Sequence, residues 1–119
     1  MKAVLVVAHG SRAKETERTL EEILAMVQAK LPDMLIEWAF MEFSDKTIEK
    51  GIAALAAQGV TEIKVVPYFL FMGIHLREDI PESIAACAAD FPQIKITMGE
   101  HLGVDERLAE ILIDRIGGK

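Results

Sequence analysis

Two hydrophobic periods alternate four times along the chain, and this restricts its fold more than any other feature. Ala3–Ala8 is a short continuous apolar run, as expected of a strand buried on both faces. Leu20, Ile23, Leu24, Val27 and Leu31 then follow the steps of an amphipathic helix, which Pro32-Asp33 breaks. Ser11 reads as the N-cap of that helix. Met34 to Met41 reads as a second strand, weakened by Glu37 and Trp38. Ile48, Ile52 and Leu55 mark a second helix, with Gly59 just past its end in the C′ position. Glu62 to Val66 is a third strand, closed by Pro67, which has no N–H for a ladder. Asp79-Ile-Pro-Glu82 predicts the start of a third helix, with Asp79 as cap, Pro81 in the first turn and a stripe of Ile84, Cys87, Ala88 and Phe91. Ile94 to Met98 is a fourth strand. Leu108, Ile111 and Leu112 mark a last helix that ends at Gly117-Gly118.

Strands that alternate with helices through short loops imply an α/β fold with an all-parallel sheet and helices on both faces. Right-handed crossovers leave few topologies, and the flavodoxin-like order 2-1-3-4 is the expected one. The 119 residues suit a single domain over positions 1–119. A catalytic cleft that needs two lobes would therefore draw its second lobe from another chain.

Nineteen acidic side chains against thirteen basic ones give a formal charge of −6, which argues against a nucleic-acid partner. The single cysteine, Cys87, excludes an internal disulfide, fits a reducing compartment, and lies on an apolar helix stripe as a core thiol would. The longest apolar run, Val65 to Ile74, is too short to span a bilayer, so no membrane partner is expected. The apolar stretch after Lys2 is too short for a signal peptide. A cytoplasmic location follows as the expectation.

In open parallel sheets, ligands bind at the carboxyl ends of the strands, near the point where the order reverses, here between the first and third strands. His9-Gly10-Ser11-Arg12 follows the first strand; Glu42, Ser44 and Asp45 follow the second. Tyr68 to His75 and then Arg77 follow the third, and Gly99-Glu100-His101 the fourth. All three histidines thus fall on one rim. The interval from His9 to Glu42 equals that from Glu42 to His75, 33 residues or one βα unit each. His9, Glu42 and His75 would then stand at similar heights on neighbouring strands, a nitrogen and oxygen set suited to cobalt, nickel, iron or zinc. Taken singly, each is equally well a polar surface residue. The run Tyr68 to Ile74 is too apolar for an ordinary exposed loop. It is either buried core, or the wall of an apolar pocket, or a subunit interface.

Ala8-His-Gly-Ser-Arg12, Phe40-Met-Glu42 and Pro67-Tyr-Phe-Leu-Phe-Met-Gly-Ile-His75 followed by Asp79-Ile-Pro81 together resemble the short-form sirohydrochlorin cobaltochelatase family. That group includes nickel chelatases and is related to the larger class II chelatases, which resemble two such units in one chain. The resemblance covers nearly the whole chain. It implies insertion of a divalent metal, Co²⁺ or else Ni²⁺ or Fe²⁺, into sirohydrochlorin in cobalamin or related tetrapyrrole biosynthesis. The metal would be a substrate, and no permanently bound cofactor is implied; nor is there a P-loop pattern for ATP. By the resemblance, His9 binds metal and accepts protons, His75 is the second ligand and Glu42 the accompanying carboxylate. Leu70, Phe71, Met72, Gly73 and Ile74 would contact the macrocycle, as would Asp45 near the second helix. A homodimer is implied, with the apolar segment near the shared cleft. Two departures stand out. His101-Leu-Gly103 replaces an expected Pro-Leu-Gly, which makes His101 an added ligand, a substrate contact or a tolerated surface change. Lys46-Thr47 stands where a proline is usual.

The residues suit that chemistry. Two pyrrole protons must leave as the metal enters, and neutral imidazoles can both hold the ion and accept protons. Arg12, Lys46 and Arg77 lie on the same rim as donors for peripheral carboxylates. A histidine-glycine pair after the first strand is also similar to phosphohistidine phosphatases, with His9 as nucleophile. Here Ala8 replaces the arginine of that pattern. A non-catalytic metal- or tetrapyrrole-binding protein would carry every motif above.

Overall fold

A computed structural model describes residues 1–118. Along the chain run β1 (Lys2–Ala8), α1 (Glu15–Lys30), β2 (Leu35–Phe40), α2 (Ile48–Ala57), β3 (Glu62–Pro67), α3 (Ile74–Asp90), β4 (Lys95–Met98) and α4 (Glu106–Ile116). The strands form one parallel sheet in the order β2-β1-β3-β4, as the alternation predicts. Val7 pairs with both Ala39 and Pro67, which aligns the ends of the three strands that carry the rim.

The period of two along β1 divides its side chains between two cores. Ala3, Leu5 and Val7 pack with Ile48, Ile52 and Leu55 of α2 and with Ile80 and Cys87 of α3. Val6 and Ala8 turn to the opposite face, against Leu20 and Leu24 of α1 and Phe40 of β2. The interruption at Glu37 and Trp38 has a positional reason. β2 is an edge strand, and Lys46 lies across the Trp38 ring 4.4 Å from its centroid while pairing with Glu37 at 3.2 Å. Cys87 is buried, and burial first, then Glu49 and Asp90, pushes its thiol pKa up, so the core thiol is held protonated.

Two expectations about helix starts fail. α3 begins at Ile74 rather than near Asp79, with Gly73 as its N-cap and Pro81 inside the helix. Proline resembles a start signal because it suits a first turn. Here it sits where the carbonyl that loses its partner belongs to exposed Arg77 and can bond to water. The helix therefore reaches back to include His75. Ser11 is not the cap of α1: Lys14 holds that position with no side-chain bond, and Ser11 Oγ accepts from Ala13 N at 3.0 Å one turn earlier. No buried residue lies on α4, although Ile111, Leu112, Ile113 and Ile116 are apolar.

Candidate active site

The rim is built by extending the sheet's hydrogen bonding into the loops. Met41 N donates to Ala8 O at 2.9 Å and Glu42 N to His9 O at 3.1 Å, so the loop after β2 zips onto the loop after β1. Tyr68 N donates to Val7 O at 2.7 Å, and Leu102 N to Phe69 O at 3.0 Å. Each loop is thus tied to its neighbour across the order β2-β1-β3-β4.

Gly10 is where the zip demands a particular residue. Its φ is +93°, in the region that favours glycine, and a Cβ there would collide with the Glu42 carbonyl oxygen. With no side chain in the way, the two loops close and the Glu42 carboxylate meets the His9 ring, Oε1 to Nε2, at 2.8 Å. Both side chains stay about half open to solvent. The Phe69 ring stands edge-on to His9 with centroids 6.2 Å apart. A proton on Nε2 bonded to Glu42 leaves Nδ1 of a neutral ring with its lone pair, free to bind a metal or take a proton. His9 also lines a cavity of about 390 Å³ with Thr16, Thr19 and Tyr68.

The other expected site residues are distributed along the rim. His75 is exposed on the first turn of α3. Among the described residues no three His, Cys, Asp or Glu side chains form a group that could hold a metal ion. His9 and Glu42 are therefore paired here, while His75 is not gathered with them into a three-ligand set. Asp45 is exposed and lines a shallow depression with Trp38 and Lys50, which neither His9 nor Glu42 lines. Lys46 is engaged with Glu37 and Trp38, whereas Arg12 and Arg77 make no ion pair among the described residues.

The apolar run after β3 divides in two. Phe69 joins the core, while Leu70, Phe71 and Ile74 are exposed, Phe71 at 84%. Leu70, Phe71 and Met72 form one wall of an open groove of about 1060 Å³, faced by His101 and Leu102 and by Leu108 and Leu112 of α4. Arg77 and Arg115 also border it. This groove does not include His9 or Glu42. It is the next feature along the rim, joined to them through Phe69, which touches His9 by its ring and Leu102 by its carbonyl. His101 belongs to this groove, and its ring covers Gly103, where a Cβ would lie 3.3 Å from Nε2.

Two participants escaped the sequence reading: Phe69, hidden within an apolar run, and Phe43. Phe43 has φ +59°, the only positive φ of a non-glycine among the described residues, and its ring lies 5.0 Å below the Arg12 guanidinium. The chain reverses between Phe40 and Lys46 with no glycine or asparagine, so nothing in the sequence marks Phe43 as the residue that turns left-handed.

No helix among the described residues is long and apolar enough to cross a membrane. The chain is 40% identical to the sirohydrochlorin ferrochelatase of Priestia megaterium over 116 residues, covering 98% of this chain and 44% of that protein. It is 35% identical to the sirohydrochlorin cobaltochelatase of Methanococcoides burtonii, covering 94% of this chain and 92% of that one. The crystal structure of the sirohydrochlorin chelatase SirB from Bacillus subtilis subspecies spizizenii in complex with cobalt superposes with a TM-score of 0.90 at 36% identity, covering 98% of this chain and 50% of that one. The chain thus spans about half the length of the longer relatives and nearly all of the shorter one. Residues 3–118 match the CbiX family model, and the chain belongs to the CbiX family.

Proposed function

We propose that this protein inserts a divalent metal into sirohydrochlorin, with cobalt as the cellular metal and nickel or iron as further substrates, in cobalamin or a related tetrapyrrole pathway. The observation that carries the reading is the His9–Glu42 contact of 2.8 Å at the end of the central strand. It supplies a basic nitrogen and a carboxylate together where open parallel sheets bind ligands. Relatives named for cobalt and iron chelation support it.

In this reading, His9 takes the metal at Nδ1 and His75 joins as second ligand when the α3 turn approaches the bound ion. As the metal enters the macrocycle, the two pyrrole N–H protons leave, and one metal dication replaces them with no change in total charge. His9 accepts one proton as the metal departs from it, Glu42 stabilises the resulting imidazolium and relays that proton to water, and the second pyrrole proton passes to water directly. Leu70, Phe71, Met72, Gly73 and Ile74 supply the apolar surface for the flat ring. Arg12 and Arg77 meet its carboxylates, and Asp45 contacts it from the start of α2. The working form is a cytoplasmic homodimer without a permanently bound cofactor, because one chain provides one rim where the longer relatives have about twice the length.

The test is anaerobic incubation with sirohydrochlorin and Co²⁺, Ni²⁺ or Fe²⁺, followed by absorption spectra. Catalysed insertion is expected, reduced about a hundred-fold or more in His9→Ala and in His75→Ala, with a smaller loss in His101→Ala. Rates equal to the protein-free control with all three metals would refute the reading.

A further inference from the structure

Phe43 is an unexpected residue for its place. The main chain leaves β2 at Phe40 and is back within bonding distance at Lys46, whose carbonyl accepts from Phe40 N at 2.7 Å. A reversal this tight passes through the left-handed region, where glycine or asparagine turns with the least strain. Phe43 occupies it with φ +59°. Burial does not account for the choice, because Phe43 is 52% exposed. What the ring does contact is Arg12, whose guanidinium lies 5.0 Å above its centroid. Strained residues held in place with little burial concentrate at functional sites. This one directly follows Glu42, whose carbonyl closes over Gly10 and whose carboxylate holds His9.

We propose that Phe43 is a positioning residue of this site: its ring, carried on the left-handed turn that follows Glu42, holds the Arg12 guanidinium on the same rim to receive a carboxylate of the anionic macrocycle. Arg12 makes no ion pair among the described residues, so its charge is available to an incoming anion. The aromatic face fixes the position of that charge without neutralising it, as a carboxylate partner would. The inference rests on the tetrapyrrole reading above for the identity of the anion.

The experiment measures equilibrium binding of metal-free sirohydrochlorin by its fluorescence, alongside thermal stability and turnover. Arg12→Ala should weaken binding about ten-fold, the loss of one charge-assisted contact. Phe43→Gly removes both the strain and the ring. Tm should therefore stay at or above that of wild type, while binding weakens about three-fold, the loss of an exposed cation–π hold. Phe43→Leu should weaken binding alike, and Phe43→Tyr should restore it. The double variant Arg12→Ala/Phe43→Gly should bind no worse than Arg12→Ala alone. In turnover, the loss in the Phe43 variants should fall mainly on KM. Wild-type affinity in Phe43→Leu, or additive losses in the double variant, would overturn the inference while leaving the chelatase reading intact. Coupled binding without turnover would do the reverse, and no binding of sirohydrochlorin by wild type would overturn both.

Discussion

The two ends of the rim are built in opposite ways. Around His9 the loops are short, bonded to each other across β1 and β2, and closed so tightly at Gly10 that a Cβ has no room. Around Phe71 and α4 the surface is apolar and open: Phe71, Ile74, Leu112 and Ile116 are exposed, and α4 buries no residue. The first region has its His9–Glu42 pair in place before any ligand arrives, as acid–base chemistry requires. The second is unfinished, because a contiguous apolar surface of this kind gains its stability only from what covers it. On the proposed function, the His9 end would carry the proton and metal chemistry and the Phe71 end the apolar contact with the macrocycle, with Phe69 between them.

The largest expected effect tests the first region directly. His9→Ala removes the nitrogen proposed to bind the metal, while Phe71→Ser alters only the open wall. Insertion rates should fall about a hundred-fold or more in the former through kcat, and about ten-fold in the latter through KM. Equal effects on the same parameter would break the division. Next is Gly10→Ala, which forces a side chain into the Glu42 carbonyl at a φ of +93°. It should cost about 2–4 kcal/mol in urea denaturation. A cost below 1 kcal/mol, about one factor of five in the unfolding equilibrium, would mean that the loops are not closed as described.

On the second region the same kind of measurement should show almost nothing. Leu112→Asp touches no core, so the stability of the subunit at low concentration should move by less than about 0.5 kcal/mol. Leu5→Ala in the centre of β1 should cost about 2–5 kcal/mol. The effect of Leu112→Asp should appear in assembly instead, as a dimer dissociation constant raised at least about ten-fold in sedimentation equilibrium. Unchanged assembly would assign this face to the macrocycle rather than to a second subunit.

The contrast also separates what the amino-acid sequence reveals from what it conceals. Strand order and both cores were legible because alternation of period fixes them: Ala3, Leu5 and Val7 cannot share a face with Val6 and Ala8. Equal spacing and the parallel order put His9, Glu42 and His75 at similar heights; His9 and Glu42 meet, while His75, carried onto the first turn of α3, does not join them. Helix ends were not legible, because Pro81 and Ser11 have two uses each, and the choice depends on whether a freed carbonyl can reach water or a closer N–H competes. The division of the run Tyr68 to Ile74 was hidden for a similar reason. Its hydrophobicity is uniform, so nothing in it marks Phe69 as the residue that turns inward and Leu70, Phe71 and Ile74 as those left exposed. Phe43 was concealed because its conformation is set by closure of the loop, not by its own preference.

The smallest effect concerns how α4 is held. α4 buries no residue, and its first turn is supported by local bonds, where Asp105 accepts from Arg107 N at 2.9 Å and pairs with the Arg107 guanidinium at 2.7 Å. The Arg107 side-chain bond, then its backbone N–H, holds the Asp105 carboxyl well below the usual carboxylate range. In the unfolded chain that group titrates at about 3.9. A carboxyl lowered on folding stabilises the folded form above its unfolded value and loses that contribution as pH falls through the folded one. Cap support for α4 should therefore be intact at neutral pH and decline only below about pH 4. Amide exchange at Leu108 and Ala109, which lean on the Asp105 carbonyl, reports it. Asp105→Asn keeps an acceptor for the Arg107 N–H but cannot titrate, so its protection should stay flat through the acid range where that of wild type falls. Matching profiles in the two proteins would show that α4 is held by something other than its cap, and the open end of the rim would then be less unfinished than its exposure implies.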